Sequence, residues 1–96
     1  LLLLGTEGER GMLRITVVEN GKGPPLMRLE GRLAGAWVDE FRIAFERLRS
    51  RRAPARLDLG EVTYMDRAGV EAVLQAVASG AVVERRSPIV AEQLRG

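Results

Sequence analysis

Residues Arg56–Val77, RLDLGEVTYMDRAGVEAVLQAV, decide the fold. The run opens with Arg56-Leu57-Asp58-Leu59-Gly60, an alternation that suits a buried strand with Leu57 and Leu59 on one face. A connection of six residues, Glu61–Asp66, is expected next. Val70, Val73, Leu74 and Val77 then recur at i, i+3, i+4 and i+7, the apolar stripe of an amphipathic helix. Asp66 stands where that helix should begin. Its carboxylate suits the orphan N–H groups of a first turn and the positive end of the helix dipole. Gly69 lies in the same turn, where a glycine is roughly 1 kcal/mol worse than alanine. A glycine there points to another backbone, or a partner surface, coming very close.

Outward from this unit the pattern keeps alternating between strand and helix. Leu13–Val17 reads as a first strand, rich in β-branched residues. Glu19–Pro25 is a turn by composition: Asn20-Gly21 favours a tight turn, and Pro24-Pro25 cannot lie inside a central strand. Met27, Leu29 and Leu33 alternate with Arg28, Glu30 and Arg32, giving a second strand with a wet face and predicting an antiparallel hairpin with the first. Trp37, Val38, Phe41, Phe45 and Leu48 share one helical face, which makes this helix the main donor to the core. Its acids lie early and its arginines late, in accord with the macrodipole, and Pro54 ends any continuation. Beyond the central unit, Gly80 should stop the helix and Ala81-Val82-Val83 reads as a short buried strand. Ser87-Pro88 then places Ser at an N-cap and Pro at the first helical position, ahead of Ile89, Val90 and Leu94. The predicted order is β-β-α-β-α-β-α, a single small α/β domain with a mixed sheet and helices packed on it. Leu1–Gly11 is set apart as a flexible lead-in, leaving 12–96 as the domain.

Composition narrows the chemistry. Ninety-six residues allow one small core. There is no cysteine and no histidine, so disulfides, thiolate nucleophiles, Cys/His zinc sites and imidazole bases drop out together. The serines have no base in a recognisable motif, and no phosphate-loop or dinucleotide pattern is present. Catalysis is not expected, nor any cofactor or metal. The net charge of +2 is too small to argue for nucleic acid. Arg47, Arg49, Arg51, Arg52 and Arg56 crowd the end of the first helix, but without interleaved aromatics they read first as a solvated surface. No apolar run approaches a membrane span of about 20 residues, and a cytoplasmic location is expected. The sheet edges and the apolar Leu1–Leu4 leave room for a homodimer without requiring one.

The segment LDLGEVTYMDRAGVEAVL resembles the signature of STAS domains, the fold of anti-sigma factor antagonists and of sulfate-transporter tails. Leu57-Asp58-Leu59 matches the family's strand and Tyr64-Met65 its apolar pair. Asp66, Gly69 and Val70 match the opening of its helix. The resemblance runs from Leu13 to about Leu94, with LMRLEGRLAGAWVDEFRIAFERL similar to the second strand and first helix. One position departs. The family's phosphorylatable hydroxyl aligns with Ala68, preceded by Arg67, so the usual phospho-switch residue is absent.

What the resemblance implies is a non-catalytic bacterial signalling module, similar to the antagonists that regulate transcription. Such a module binds a protein partner, here expected to be an ATP-binding anti-sigma factor kinase-like protein. The partner-binding residues it implies are Tyr64, Met65, Asp66, Arg67, Ala68, Gly69 and Glu71. Three of them also have a plainer reading: Asp66 as a helix cap, Arg67 and Ala68 as ordinary helix formers, Arg67 also as a cover for Asp58 or Glu71. Two rival functions stay open. One is a small STAS subunit of an ABC-type lipid transport complex, whose motif also carries Ala before the Gly. The other is a domain that holds a nucleotide or other anion at this helix N-terminus and Arg67.

Overall fold

The computed structural model describes residues 2–5, 13–19, 23–49 and 54–95. Strands β1 (Leu2–Gly5), β2 (Leu13–Val18) and β3 (Leu26–Leu33) precede helix α1 (Ala36–Arg49). Strand β4 (Arg56–Met65), helix α2 (Arg67–Ala78), strand β5 (Val82–Arg86) and helix α3 (Pro88–Arg95) follow. The sheet has the order β1-β2-β3-β4-β5, antiparallel across its first three strands and parallel across its last three. The predicted β-β-α-β-α-β-α order is therefore present from Leu13 onward, and the β2–β3 hairpin is antiparallel as expected.

Alternation along the strands builds a two-sided sheet. Leu13, Ile15 and Val17 of β2, Met27, Leu29 and Leu33 of β3, and Leu57, Leu59, Val62 and Met65 of β4 are all buried. Val38, Phe41, Ala44, Phe45 and Leu48 of α1 join them in one cluster with Ala72, Val73 and Ala76 of α2 and Val90 of α3. Each large side chain removed from water contributes about 1.5–3 kcal/mol, so this single cluster supplies most of the driving force. The opposite side of the sheet is ionic. Arg14 pairs with Glu30, and Arg56 with Glu84. Arg28 and Arg85 converge on the buried Asp58 from the strands on either side of it, at 3.2 and 3.3 Å.

Several expectations are corrected. Leu2–Gly5, expected in a flexible lead-in, is an edge strand in antiparallel register with β2, Leu2 opposite Val17 and Leu4 opposite Ile15. Without it, one edge of β2 would have no backbone partner. Glu61–Met65, expected as a connection, continues β4 to ten residues. The β-branched and aromatic run Val62-Thr63-Tyr64 suits a strand, and β3 is long enough to pair with it through two register shifts. Of Ala81–Val83, expected as a buried strand, Val82 and Val83 open β5 at the sheet edge and Ala81 precedes it. Ala81 is buried, Val83 half-buried, and Val82 is 52% exposed. Ile89, assigned to the apolar side of the last helix, is exposed while Val90 is fully buried.

The largest correction concerns α2. Of its expected stripe, Val73 is buried and Val70 packs against the core, but Leu74 and Val77 are 48% and 42% exposed. The buried face is Gly69, Ala72, Val73 and Ala76, also spaced i, i+3, i+4 and i+7. Small residues occupy it because the helix lies hard against the sheet. A Cβ on Gly69 would stand 2.2 Å from the carbonyl oxygen of Leu33, far inside contact distance.

The Asn20-Gly21 dipeptide, residues 6–12, and Ser50, Arg51 and Arg52 of the arginine cluster lie outside the described residues.

Candidate functional site

The site forms where β3 and β4 end and α2 begins. The main chain turns from Met65 into the helix at Asp66, which is extended (φ −84°, ψ −177°) as an N-cap requires. One carboxylate oxygen of Asp66 accepts the Gly69 N–H at 2.8 Å, closing the first turn. The other accepts the Gly35 N–H at 2.9 Å, from the turn between β3 and α1. The Asp66 N–H donates in turn to Leu33 O at 3.3 Å. Gly35 has φ +61°, a left-handed conformation that disfavours side-chain-bearing residues and aims its N–H at the carboxylate. The Gly35 and Gly69 N–H groups hold the Asp66 carboxyl below the usual carboxylate range, with a smaller contribution from the nearby Arg32 charge. Asp66 is thus a cap, and it also fastens two loops together.

Behind this corner, α3 completes β4. Strand β5 pairs with β4 only as far as Leu59, so the second half of β4 lacks a strand on that side. Helix α3 supplies the missing partners. Ser87 Oγ donates to Val62 O at 2.7 Å and accepts the Val90 N–H at 3.3 Å, serving β4 and the start of α3 with one hydroxyl. The Gln93 amide accepts the Met65 N–H at 3.2 Å and donates to Met65 O at 2.7 Å. The Met65 side chain is fully buried.

The seven expected partner-binding residues therefore divide. Met65 and Gly69 are buried and act from within, one in the core and one at the contact with β3. Asp66 is half-buried, with both oxygens occupied by backbone donors. Tyr64, Arg67, Ala68 and Glu71 reach solvent. Arg67 covers Glu71, not Asp58, at 3.7 Å, an exposed i,i+4 pair that contributes little. The Ala68 methyl offers no hydroxyl and no charge at the surface. Two residues of this corner were missed from sequence. Gly35 has no helical or strand period that would flag it. Arg32 reads only as part of a wet strand face, yet its Cζ lies 4.6 Å from the centre of the Tyr64 ring.

Away from the corner, Asp58 is the one buried acid among the described residues. Burial pushes its carboxyl up. The Gly60 N–H and the Arg28 and Arg85 guanidiniums outweigh that and hold it below the usual range. This is a structural cross-strand network. No group of acidic side chains able to hold a metal ion occurs among the described residues. A shallow groove of about 270 Å³ runs between α1 and α2, floored by Phe41, Phe45, Ala72 and Ala76, with Arg42 hydrogen-bonded to Gln75 at its rim. No helix among the described residues is long and apolar enough to cross a membrane.

Comparison with known proteins places this geometry in context. Residues 16–94 match the family model described as "Mlab, STAS domain". The fold is similar to that of the anti-sigma factor antagonist SpoIIAA in its unphosphorylated form, with a TM-score of 0.70. The sequences are 18% identical, and the match covers 84% of this chain and 77% of that one. Curated protein sequences yield no match.

Proposed function

The chain belongs to the STAS domain family, and on that footing we propose that it is a non-catalytic protein-docking module, similar to anti-sigma factor antagonists. It presents the first turn of α2 and the end of β4 to an ATP-binding regulatory protein. The observation that carries this reading is the contrast within the corner. Asp66, Met65 and Gly69 are locked by the fold, whereas Tyr64, Arg67, Ala68 and Glu71 stand on that rigid support and face solvent. Rigid support lowers the ordering cost of association. With Ala68 at the family's hydroxyl position, docking has no phosphorylation brake there, because a methyl group cannot acquire the charge of about −2 that a phosphoserine brings.

A second reading has the Ala68-Gly69 pair and the family's description in its favour: a small STAS subunit packed on the ATPase of an ABC-type lipid transporter. The same surface serves both. Affinity capture of the tagged chain from its host, with partners identified by mass spectrometry, separates them. A histidine-kinase-like anti-sigma ATPase supports the first reading, and a transporter ATPase supports the second. An Ala68→Glu variant that keeps its fold should capture neither. Recovery of the same partner in equal yield by that variant sinks the docking surface.

A further inference from the structure

Resting on this docking reading, we infer that Arg32, stacked on Tyr64, is the anchor of the surface and takes an acidic side chain of the protein partner. Arg32 and Tyr64 are directly paired across the parallel strands β3 and β4. Both are exposed, and the guanidinium carbon sits 4.6 Å from the ring centre. Four of the five other arginines of the sheet face carboxylates: Arg14 meets Glu30, Arg56 meets Glu84, and Arg28 and Arg85 meet Asp58. Among the described residues Arg32 has an aromatic ring in place of such a partner. Asp66 is close enough to feel its charge, but backbone N–H groups occupy both Asp66 oxygens.

This arrangement has a chemical consequence. A guanidinium over an aromatic face keeps its N–H donors at its edge, in a fork that fits a carboxylate with two parallel hydrogen bonds. The ring also limits the rotamers of a long side chain, so less freedom is lost on binding. Tyrosine and arginine, with tryptophan, are the residue types enriched among those that dominate interface energetics. The neighbouring charges select the occupant. Asp66, within electrostatic reach of Arg32, disfavours a polyanion such as nucleic acid, whereas a single carboxylate meets one cation and one ring.

The test begins by placing a benzophenone amino acid at Leu74, exposed one turn beyond the docking residues of α2, in the full chain and irradiating it in host lysate. Sequencing the cross-linked peptide identifies the partner and its nearest acids. Binding of that purified partner is then measured for the wild type and for Arg32→Gln, Arg32→Lys and Tyr64→Leu, each checked for an unchanged thermal midpoint. Arg32→Gln should weaken binding about tenfold or more and flatten its salt dependence. Arg32→Lys should recover only part of the loss, since lysine has no fork. Arg32→Glu combined with Arg at the contacting partner acid should restore binding. Arg32→Gln binding within twofold of wild type overturns the inference. If Ala68→Glu still abolishes binding in that case, the docking reading stands without the anchor. If both variants bind normally, or nothing cross-links, both fall.

Discussion

Gly35 and Asp66, 31 residues apart in the chain, are joined by a 2.9 Å hydrogen bond from the glycine N–H to the aspartate carboxylate. This bond ties the turn before α1 to the start of α2, and the same carboxylate caps α2 through Gly69. The turn before α1 and the start of α2 are therefore held together by one side chain. Asp66→Ala should lose about 1–2 kcal/mol by chemical denaturation. Asp66→Asn, which still caps, should lose less. Equal stability of Asp66→Ala and wild type contradicts the double role.

Acid should weaken the fold through two carboxylates. Asp58 and Asp66 both have folded-state pKa values below the ordinary value of 3.8. A depressed folded pKa gives stability that is present above the unfolded value and is lost as pH falls through the folded value. Their contribution should be complete at neutral pH and decline below about pH 4. Asp58→Asn should be less stable at pH 7 by about 1–3 kcal/mol and show a shallower acid limb. Urea midpoints from pH 7 down to pH 2 check this; an acid limb as steep as that of wild type refutes it for Asp58.

Two glycines should respond differently to alanine. At Gly69 a new Cβ meets a backbone carbonyl at 2.2 Å, which can move only if α2 lifts from β3. At Gly60 the nearest atoms, at 2.6–2.9 Å, belong to the flexible, half-exposed end of Arg85. Gly69→Ala should cost about 2 kcal/mol or more despite the better helix propensity of alanine. Gly60→Ala should cost less than half as much, chiefly by loosening the Arg85–Asp58 pair. Thermal melts of the two variants decide the order, and a reversed order rejects the packing account.

Leu74 and Val73 are neighbours in sequence with opposite environments. Leu74→Lys should change stability by no more than about 0.5 kcal/mol, since the side chain already meets solvent. Val73→Ala removes two methyl groups from a fully buried site and should cost about 2 kcal/mol. A destabilised Leu74→Lys, measured by denaturation, would return Leu74 to the core.

At Ala68 the predicted effects on folding and binding separate. A glutamate there lies in the first turn of α2, where negative charge is favourable by about 0.3–1 kcal/mol. Ala68→Glu should fold at least as stably as wild type while losing partner capture. A melt and a capture experiment on one preparation test both halves.

Much of the architecture was legible because local rules agree with the fold. The β2–β3 hairpin follows from alternation around a Gly/Pro turn, α1 from its single apolar face, and the start of α3 from Ser87-Pro88, whose hydroxyl does accept the Val90 N–H. Asp66 was legible as a cap for the same reason, since capping is a short-range bond between residues three apart. The family signature also sits in this contiguous run.

Where the outcome depended on which neighbour an element meets, sequence alone did not decide. Either apolar stripe of α2 has the same period, and only the close contact with Leu33 O selects the small one, leaving Leu74 and Val77 outside. Strand β4 could extend to Met65 because β3 lies along one side and Ser87 and Gln93 satisfy backbone groups on the other. Arg32 meets Tyr64, and Gly35 meets Asp66, through sheet register and loop closure across about thirty residues of chain. Sequence by itself determined the element order from Leu13 onward, the cap and the family signature, because those rest on periods and bonds within a few residues. The buried face of α2 and the composition of the corner around Asp66 were decided by tertiary structure, because burial and long-range pairing exist only once the sheet has brought distant segments together.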